Sequence, residues 1–482
     1  MARNITPREN NYSEWYLDVI RAAELADYAP VRGCMVIRPN GYGIWENVQA
    51  AFDHAFKETG HVNAYFPLLI PNSFLEREAQ HVEGFSPQCA VVTHAGGEEL
   101  EEPYVVRPTS ETVIGHMYSQ WVHSWRDLPI LINQWCNVMR WEKRSRLFLR
   151  TSEFLWQEGH TAHATSEEAI EETFKMLGVY QTIMQRDLGL PVIYGEKSMN
   201  ERFPGADNTY SCEAMMGDKK ALQAGTSHFL GQNFAKAFDI SFQDKNGERA
   251  YAWTTSWGVS TRLIGAIIMT HSDNDGLVLP PRVAPVKAVI IPISSNEDTL
   301  REKLEPLTDQ LLTELNSALG GLYAKADKQY HMRPGDRFFH HLQRGTPVRI
   351  ELGEKEFESG MLTVVRRDTS SKENVSRDTL AEYVKNLLVE IQDNLYNKAL
   401  AFRDANTHDV KNMEELESLF AKGGKGGFAR AYFGGSAEDE GEIKYVTGGA
   451  TIRCIPQDDD TRGACIYTGK PDARRAIFAK SY

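Results

Sequence analysis

Two arginines stand in apolar settings where a charge needs a reason. Arg140 follows the apolar run Ile130-Leu-Ile-Asn-Gln-Trp135 and opens the densest basic stretch of the chain, Arg140-Trp-Glu-Lys-Arg-Ser-Arg-Leu-Phe-Leu-Arg150. A charge run of this kind is most often a solvated hairpin. The apolar lead-in instead reads as a buried strand that delivers Arg140 into a site. Guanidinium forks match phosphate oxygens in two-point geometry, so a strand-borne arginine pair can hold a triphosphate. Arg262 closes Trp257-Gly-Val-Ser-Thr-Arg262 and leads directly into the apolar Leu263–Met269. A cation at the head of a buried helix is costly unless something anionic meets it.

Three further segments carry polar groups at suggestive spacing. In Arg107-Pro-Thr-Ser-Glu111, Thr109 or Ser110 followed by Glu111 is also a routine helix start. In Thr151–His163, Glu158, His160 and His163 have the chemistry of metal ligands. Their spacing matches no familiar zinc pattern, and satisfied polar groups beside Trp156 are the simpler reading. The last segment is Gln223-Ala-Gly-Thr-Ser-His228. The common glycine-rich nucleotide cradles are missing: Gly424-Lys425 is followed by glycine, and Gly41-Tyr-Gly43 is not completed.

The elements that must position these groups read as an α+β chain. Strand-like runs such as Val62–Ile70 alternate with helical segments such as Ser166–Leu188 over the first 275 or so residues. Three prolines within Pro280–Pro285 mark a boundary. A strand (286–293), leucines at helical spacing (304–319) and strands at 347–352 and 361–365 predict a compact α/β module. A long amphipathic helix from Leu380 to Leu395, the glycine-rich 422–427 and an acidic loop around 437–442 then lead through a small tail. The expected domains are 1–280, 286–378 and 379–482.

Composition narrows the function. The net charge is −13, from 53 basic and 66 acidic side chains, which excludes a histone-like coat but not a local basic groove. No apolar run is long enough to span a membrane, the N-terminus has no apolar signal region, and six cysteines in 482 residues make no disulfide framework. A reduced, cytoplasmic protein is expected.

Read together, a proline-ended strand (Tyr65-Phe-Pro67), R-P-T-S-E, Arg140-Trp-Glu142 with a basic loop, and G-x-x-x-R on an apolar helix resemble the catalytic domain of a class II aminoacyl-tRNA synthetase. Pro67 then falls in motif 1, Arg140 and Glu142 in motif 2, and Arg262 in motif 3. The finer text, F-L-R-T-x-E-F-L-W-Q-E-G-H, Q-A-G-T-S-H and G-L-V-L-P-P-R-V-A-P, resembles the prolyl-tRNA synthetase family, in its shorter archaeal and eukaryotic-like form. The resemblance implies an antiparallel catalytic sheet flanked by helices, an α/β anticodon-binding domain and a small α+β C-terminal domain. It implies ATP-dependent ligation of L-proline to tRNA(Pro) by a homodimer. Arg140, Glu142 and Arg262 would be catalytic. Thr109, Glu111, Arg140, Trp156, Glu158, His160, His228 and Ser256 would surround proline. Arg140, Glu142, Arg150, Thr151, Gln223, Thr226, Ser260 and Arg262 would hold Mg²⁺-ATP. Arg344, Arg349, Arg366 and Arg367 would meet tRNA.

The sequence departs from that family in three ways. Thr151–Trp257 is too short to hold the bacterial editing insertion. The anticodon-domain text W-E-L-K-G reads His341-Leu342-Gln343-Arg344-Gly345, without its carboxylate. Of the four zinc-binding cysteines frequent in relatives only Cys465 remains, Cys454 belonging to other family text, so no structural zinc is expected. The C-terminal Ser481-Tyr482 matches the family's ending, which reaches toward the active site. Two rival readings are weighed against this one. An inert synthetase-like RNA-binding or regulatory protein should lack Arg140, Arg262 or the Thr109/Glu111 pair. A threonine-specific relative should carry a Cys/His/His zinc site, which these segments do not assemble; seryl, glycyl and histidyl specificities are its same-fold companions.

Overall fold

The computed structural model describes residues 5–81 and 89–482. Among them, twelve strands join in one sheet. Its central members are Val192–Glu196, Asn208–Met215, Ala221–Gly231, Trp253–Ser260, Glu153–His163 and Ile130–Met139, paired antiparallel in that order. Val62–Asn63 closes one edge. The helices Pro39–Glu58, Ser166–Arg186 and Arg262–His271 cover one face of this sheet. Their apolar stripes, including Phe52, Phe56, Tyr180, Ile264 and Ile267, bury against Trp257 and Val259 in the largest core. Between Thr151 and Trp257 the chain forms strands and helices of this layer, then helix Asn233–Phe238 and a small hairpin, Ser241–Gln243 with Arg249–Tyr251, that pack in a second core.

The α/β module has five strands in the order Ala324–Ala326, Ala288–Ile293, Val348–Gly353, Met361–Arg366, Lys372–Ser376, the first three parallel. Helices Glu305–Leu319 and Leu380–Ala405 supply Leu307, Leu311, Leu315, Leu387 and Ile391 to its separate core. The tail strands Thr407–Asp409, Phe428–Phe433, Ala473–Ala479 and Thr451–Pro456 do not stand apart. Ile455 and Pro456 pair with Glu196 and Gly195, so the tail continues the catalytic sheet. A Cβ at Gly195 would lie 2.2 Å from the Ile455 carbonyl oxygen, so this approach requires glycine.

Two expectations change. The run 62–70 is not one strand but two short ones, Val62–Asn63 and Leu69–Pro71. Pro67 has no N–H to donate, and the Phe66 N–H leaves the ladder for the Gln134 side chain at 2.5 Å. The acidic segment expected as a loop around 437–442 is the helix Ala437–Val446. Ser436 and Asp439 form a capping box at its start, and Glu438, Asp439 and Glu440 sit where the positive end of the helix dipole favours them.

Candidate active site

Side chains alternate faces along a strand, so residues in register across neighbouring strands make rows on one face. On the open face of the catalytic sheet, one row is His160, Ser256 and His228. The next is Glu158, Gly258 and Thr226, and a third begins with Trp156 and Ser260. Gly258 leaves a gap between Thr226 and Glu158. On the closed face Trp257 lies against Gly159, where a Cβ would come within 2.1 Å of the indole. The rows floor a cavity of about 330 Å³. Thr109, Glu111, Arg140, Trp156, Glu158, His160, Gln223, Thr226, His228, Ser256, Ser260 and Arg262 all line it. The Glu201–Pro204 segment and Phe154 complete the wall.

Helix Glu111–Trp121 points its N-terminus at this cavity, but not as an ordinary capped start. Ser110 occupies the cap position without a side-chain cap bond. Its hydroxyl donates to Glu158, and its N–H reaches the same carboxylate at 3.2 Å. Gln134 Nε2 donates to Glu158 at 2.8 Å, and His160 Nε2 stands 2.9 Å away. Burial alone would raise the Glu158 pKa. The His160 hydrogen bond and charge, with Ser110 and Gln134, outweigh it and hold the carboxyl well below its usual range. The same pairing raises His160 against its own burial. These two residues satisfy each other, and His163 bonds Thr161 at 2.8 Å, so the three form no metal site. His228, in the same row as His160, has the opposite fate. Burial, then the positive neighbours His160 and Arg140, push it to about 3, leaving it neutral with Nδ1 3.0 Å from Thr209 Oγ1. At the cavity's other end the Thr109 hydroxyl donates to the Glu111 carboxylate, both residues being buried.

Arg140 emerges where strand Ile130–Met139 ends, with its N–H on Ser152 O at 2.8 Å. The basic stretch therefore divides. Lys143 and Arg144 are exposed at the hairpin, Leu147, Phe148 and Leu149 are buried beneath it, and Arg140 turns inward. By area Arg140 is open, but it opens into the cleft, where protein crowds the guanidinium and lowers its pKa by desolvation. It lies over Trp156 and Phe154, at 5.3 and 5.6 Å from the ring centroids, and donates only to Pro108 O at 2.9 Å. Arg262 starts helix Arg262–His271 and donates to Leu149 O at 3.2 Å and Gln223 O at 3.5 Å. Burial and the like charge of Arg140 bring it down to about 10. Among the described residues no carboxylate lies within ion-pair distance of either arginine.

Both arginines, with Phe154 and Ser260, also line a second chamber of about 200 Å³, whose other walls include Glu142, Arg150 and Thr151. Glu142 accepts from Arg150 Nε at 2.5 Å and from the Arg144 N–H at 3.0 Å. These bonds outweigh burial and keep its carboxyl below the usual range. The site is thus two connected chambers with Arg140 and Arg262 on the common wall. One chamber has an apolar and carboxylate lining, and the other gathers three arginines, Arg140, Arg150 and Arg262, around one carboxylate, Glu142.

The four arginines expected at tRNA lie in the α/β module, and two of them are committed elsewhere. Arg367 is buried and grips Asp273 of the catalytic region with both amino groups, at 2.8 and 2.7 Å. Arg344 pairs with Glu24. Arg367, a buried guanidinium matched by a carboxylate, and the half-buried Arg344 thus each tie the module to the catalytic region, while Arg367 also lines the cavity that holds Arg349 and Arg366. Arg349 and Arg366 line a cavity of about 120 Å³ with His341, Leu342 and Lys372. Each also has a carboxylate partner, Glu351 and Asp368, at 2.8 Å.

In the tail, Cys454 is buried in strand Thr451–Pro456, and Cys465 accepts the Thr468 N–H at 3.5 Å. Among the described residues no group of three or more His, Cys, Asp or Glu could hold a metal ion. Tyr482 bonds Asp218 and lies under Arg146 of the basic hairpin, 5.3 Å from its ring.

Gln134, Phe154, Gly258 and the Glu201–Pro204 segment were not singled out from sequence, and Ser110 was read there only as a helix start. Period-2 spacing along Phe154–Trp156–Glu158 held a signal for Phe154. Ser110 and Gln134 gave none, since their link to Glu158 spans 48 and 24 residues.

Comparison with known proteins agrees with this geometry. Residues 92–271 match the model for the tRNA synthetase class II core domain (G, H, P, S and T). Residues 287–387 match the anticodon binding domain, and 413–482 match "Prolyl-tRNA synthetase, C-terminal". The chain is 54% identical to a proline--tRNA ligase of Chlorobium phaeobacteroides, over the whole of both chains. It is also 54% identical to one of Roseiflexus castenholzii over 99% of each. A crystal structure of prolyl-tRNA synthetase from Cryptosporidium parvum, complexed with halofuginone and AMPPNP, superposes with a TM-score of 0.93 at 38% identity over the whole of both chains. A second structure of that protein, with L-proline and AMP, has the same score at 36% identity, covering 100% of this chain and 98% of that one. With identity of this extent from end to end, the chain belongs to the prolyl-tRNA synthetase family.

Proposed function

We propose that the two chambers divide adenylate formation between an amino-acid end and a nucleotide end. The chain is a proline–tRNA ligase: it joins L-proline to tRNA(Pro) in two steps through a prolyl-adenylate, releasing pyrophosphate and then AMP. In the assignment favoured here, the prolinium amine meets Thr109 and Glu111, where a carboxylate sheltered from water holds the charge strongly. The ring lies against Trp156 and the His160–Ser256–His228 row. The proline carboxylate, already ionised, needs no general base. Its oxygen bonds to the α-phosphorus of ATP as the bond to the bridging oxygen breaks and pyrophosphate leaves.

Arg140 and Arg262 meet the charge that develops at the α-phosphate, and fixed donors aimed there account for much of the rate. Gln223, Thr226, Ser260, Arg150 and Thr151 position the nucleotide. Glu142, an ionised oxygen donor on the nucleotide wall, fits the hard Mg²⁺ that accompanies ATP. That ion neutralises phosphate charge. In the second step the terminal adenosine hydroxyl of tRNA attacks the carbonyl of the adenylate and AMP leaves.

The observation that carries the reading is the common wall: two arginines without carboxylate partners between a carboxylate-lined chamber and an anion-sized one. Pyrophosphate exchange with each of the twenty amino acids tests it. Proline should support exchange, with weak activity for alanine and cysteine. Stronger exchange with threonine, or none with proline, overturns it.

For tRNA the proposed contacts are Arg344, Arg349, Arg366 and Arg367, of which the last three line one cavity with Lys372. Assembly as a homodimer is supported by apolar exposure at the Val62–Asn63 edge, where Val62 and Tyr65 are 61% and 70% exposed. Sedimentation at twice the chain mass is expected. A cytoplasmic location is supported by the free thiols Cys34, Cys136, Cys212, Cys454 and Cys465. Among the described residues no helix is long and apolar enough to cross a membrane.

A further inference from the structure

The amino-acid cavity has one wall that the catalytic sheet does not supply. Glu201, Arg202, Phe203 and Pro204 close it, on a segment that leaves strand Val192–Glu196 and returns as Asn208–Met215. Phe203 lies 4.6 Å from the His228 ring, and its N–H reaches Thr209 Oγ1 at 3.0 Å. A connecting segment with so few internal bonds has no reason to hold one position by itself.

Besides its bonds to the catalytic sheet, such as Asn233 Nδ2 to Gly205 O at 3.1 Å, it has restraints from the C-terminal module. Ser198 Oγ donates to Glu440 at 3.0 Å, and Asn200 Nδ2 donates to Ala437 O at 2.8 Å, both on helix Ala437–Val446. Arg453, on strand Thr451–Pro456 and almost wholly buried, reaches Glu213 at 3.1 Å with one edge and Glu201 at 3.6 Å with the other. Glu213 is also held by Lys197 at 2.9 Å, so this carboxylate is matched twice and Arg453 has charge left for Glu201. In parallel, Arg474 holds Glu196 at 3.2 Å, and Glu196 stands 3.9 Å from Arg202. Four tethers therefore run from the module to a segment of about ten residues. The module's own residues, Glu440, Ala437, Arg453 and Arg474, are not among those that line the cavity, whereas Glu201 and Arg202 are.

We infer that the C-terminal module is a positioning device for the proline pocket: Arg453, Glu440 and the Ala437 carbonyl fix the 198–204 wall and thereby set proline affinity and its preference over alanine. Arg453 and Glu440 are positioning residues, acting through Glu201 and Ser198. The inference rests on the cavity being the proline site. It explains why the tail continues the catalytic sheet, and it concerns only the amino-acid chamber, because the nucleotide chamber is walled by the basic hairpin and helix Arg262–His271.

The test is pyrophosphate exchange by the full-length enzyme, with KM for proline and for ATP measured separately. Displacing a pocket wall by about an ångström costs up to roughly a hundredfold in rate or affinity. R453A should raise the proline KM by about tenfold or more, with the ATP KM held within about twofold. R453K, which keeps one charge–charge contact, should recover part of the loss. N200A removes a single bond at an exposed residue and should raise the proline KM by about threefold. Both variants should lower the ratio of proline to alanine kcat/KM.

Should R453A fail to fold, because it leaves Glu213 with one partner fewer, N200A at an exposed residue and E440Q at a buried one decide the matter. Unchanged proline KM in both overturns the proposal. So does an equal rise for proline and ATP, which would mark a general loss of structure. Failure of the wild-type enzyme to exchange with proline would instead overturn the assignment of the cavity.

Discussion

Compare the arginines of the catalytic cleft with those of the anticodon module and the tail. Arg140 and Arg262 are crowded by protein, yet among the described residues their side chains donate only to backbone carbonyls, and burial lowers the pKa of both. Arg349, Arg366, Arg367 and Arg453 are equally well placed, but each faces a carboxylate at 2.7–3.1 Å. Burying an unmatched charge is costly, and folding gains nothing from Arg140 or Arg262 that a neutral side chain could not supply. The difference separates two uses of one residue type. Matched arginines hold structure together, whereas the role proposed for the unmatched ones is to meet an anion that arrives with the substrate. Arg366 also shows that exposure does not distinguish them, since a carboxylate keeps its pKa raised while Arg140 in the open cleft has a lowered one.

The comparison breaks most sharply at the clamp. R140A and R262A should lower proline-dependent pyrophosphate exchange by about a hundred- to a thousandfold, as removal of a preorganised donor does elsewhere. The melting temperature should hold or rise, because an unmatched buried charge is removed. R140K should remain impaired, since an ammonium lacks the two-point fork. Near-normal exchange in R140A, or marked destabilisation, would place Arg140 with the structural arginines.

A carboxylate can be tested in the same way. Glu111 has Thr109 as its partner and no cation within ion-pair distance among the described residues. E111Q should therefore raise the proline KM on the order of 10- to 100-fold while changing the ATP KM little. Equal losses for the two substrates would mean that Glu111 only begins a helix.

Much of this pattern was legible in the sequence because it follows from local rules. An apolar strand ending at Arg140 and an apolar helix beginning at Arg262 mark both cations as misplaced unless used, and both elements form as read. What the sequence hides is who satisfies whom. Ser110 reads as a helix cap and binds Glu158 instead. Arg367 looks as available as Arg366, yet its partner Asp273 lies 94 residues away in another domain. Such pairings depend on how separate layers meet, which no periodicity within one segment records. The split at Val62–Ile70 has the same origin, since Gln134 draws the Phe66 N–H from a distant strand.

Glu158 is the most fully matched carboxylate of the site and should act on stability through pH. Its pKa is lowered from 4.5, so its contribution is present above pH 4.5 and is lost as pH falls through the depressed value. His160 is raised from 6.5, so its contribution is present below pH 6.5 and is lost as pH rises through the raised value. The stability gap between wild type and E158Q should be widest between these limits, at about 3 kcal/mol, and narrow on both flanks. Urea unfolding from about pH 3 to about pH 9 measures it. A gap that does not vary with pH would show that Glu158 and His160 are not ionised partners.

The smallest expected effect concerns metal, and it extends the comparison to the tail. Related chains frequently hold this module with zinc on four cysteines, whereas here Cys465 alone remains at such a position. Tetrahedral zinc requires four donors, and Cys465 is satisfied by the Thr468 N–H. The task of fixing the module falls instead to matched charges: Arg453 and Lys197 on Glu213, and Arg474 on Glu196. Ion pairs need no metal to form, so protein purified without added metal should contain well under one zinc per chain by elemental analysis. A chelator should leave the melting temperature unchanged, because no metal-binding free energy contributes to folding. Raised salt should likewise leave the melting temperature nearly unchanged, since Glu213 and Lys197 are fully buried and hardly screened. Stoichiometric zinc, or a melting temperature that falls with chelator, would mean that Asp or His donors have taken over from the missing thiols and that charge pairing alone does not hold the tail.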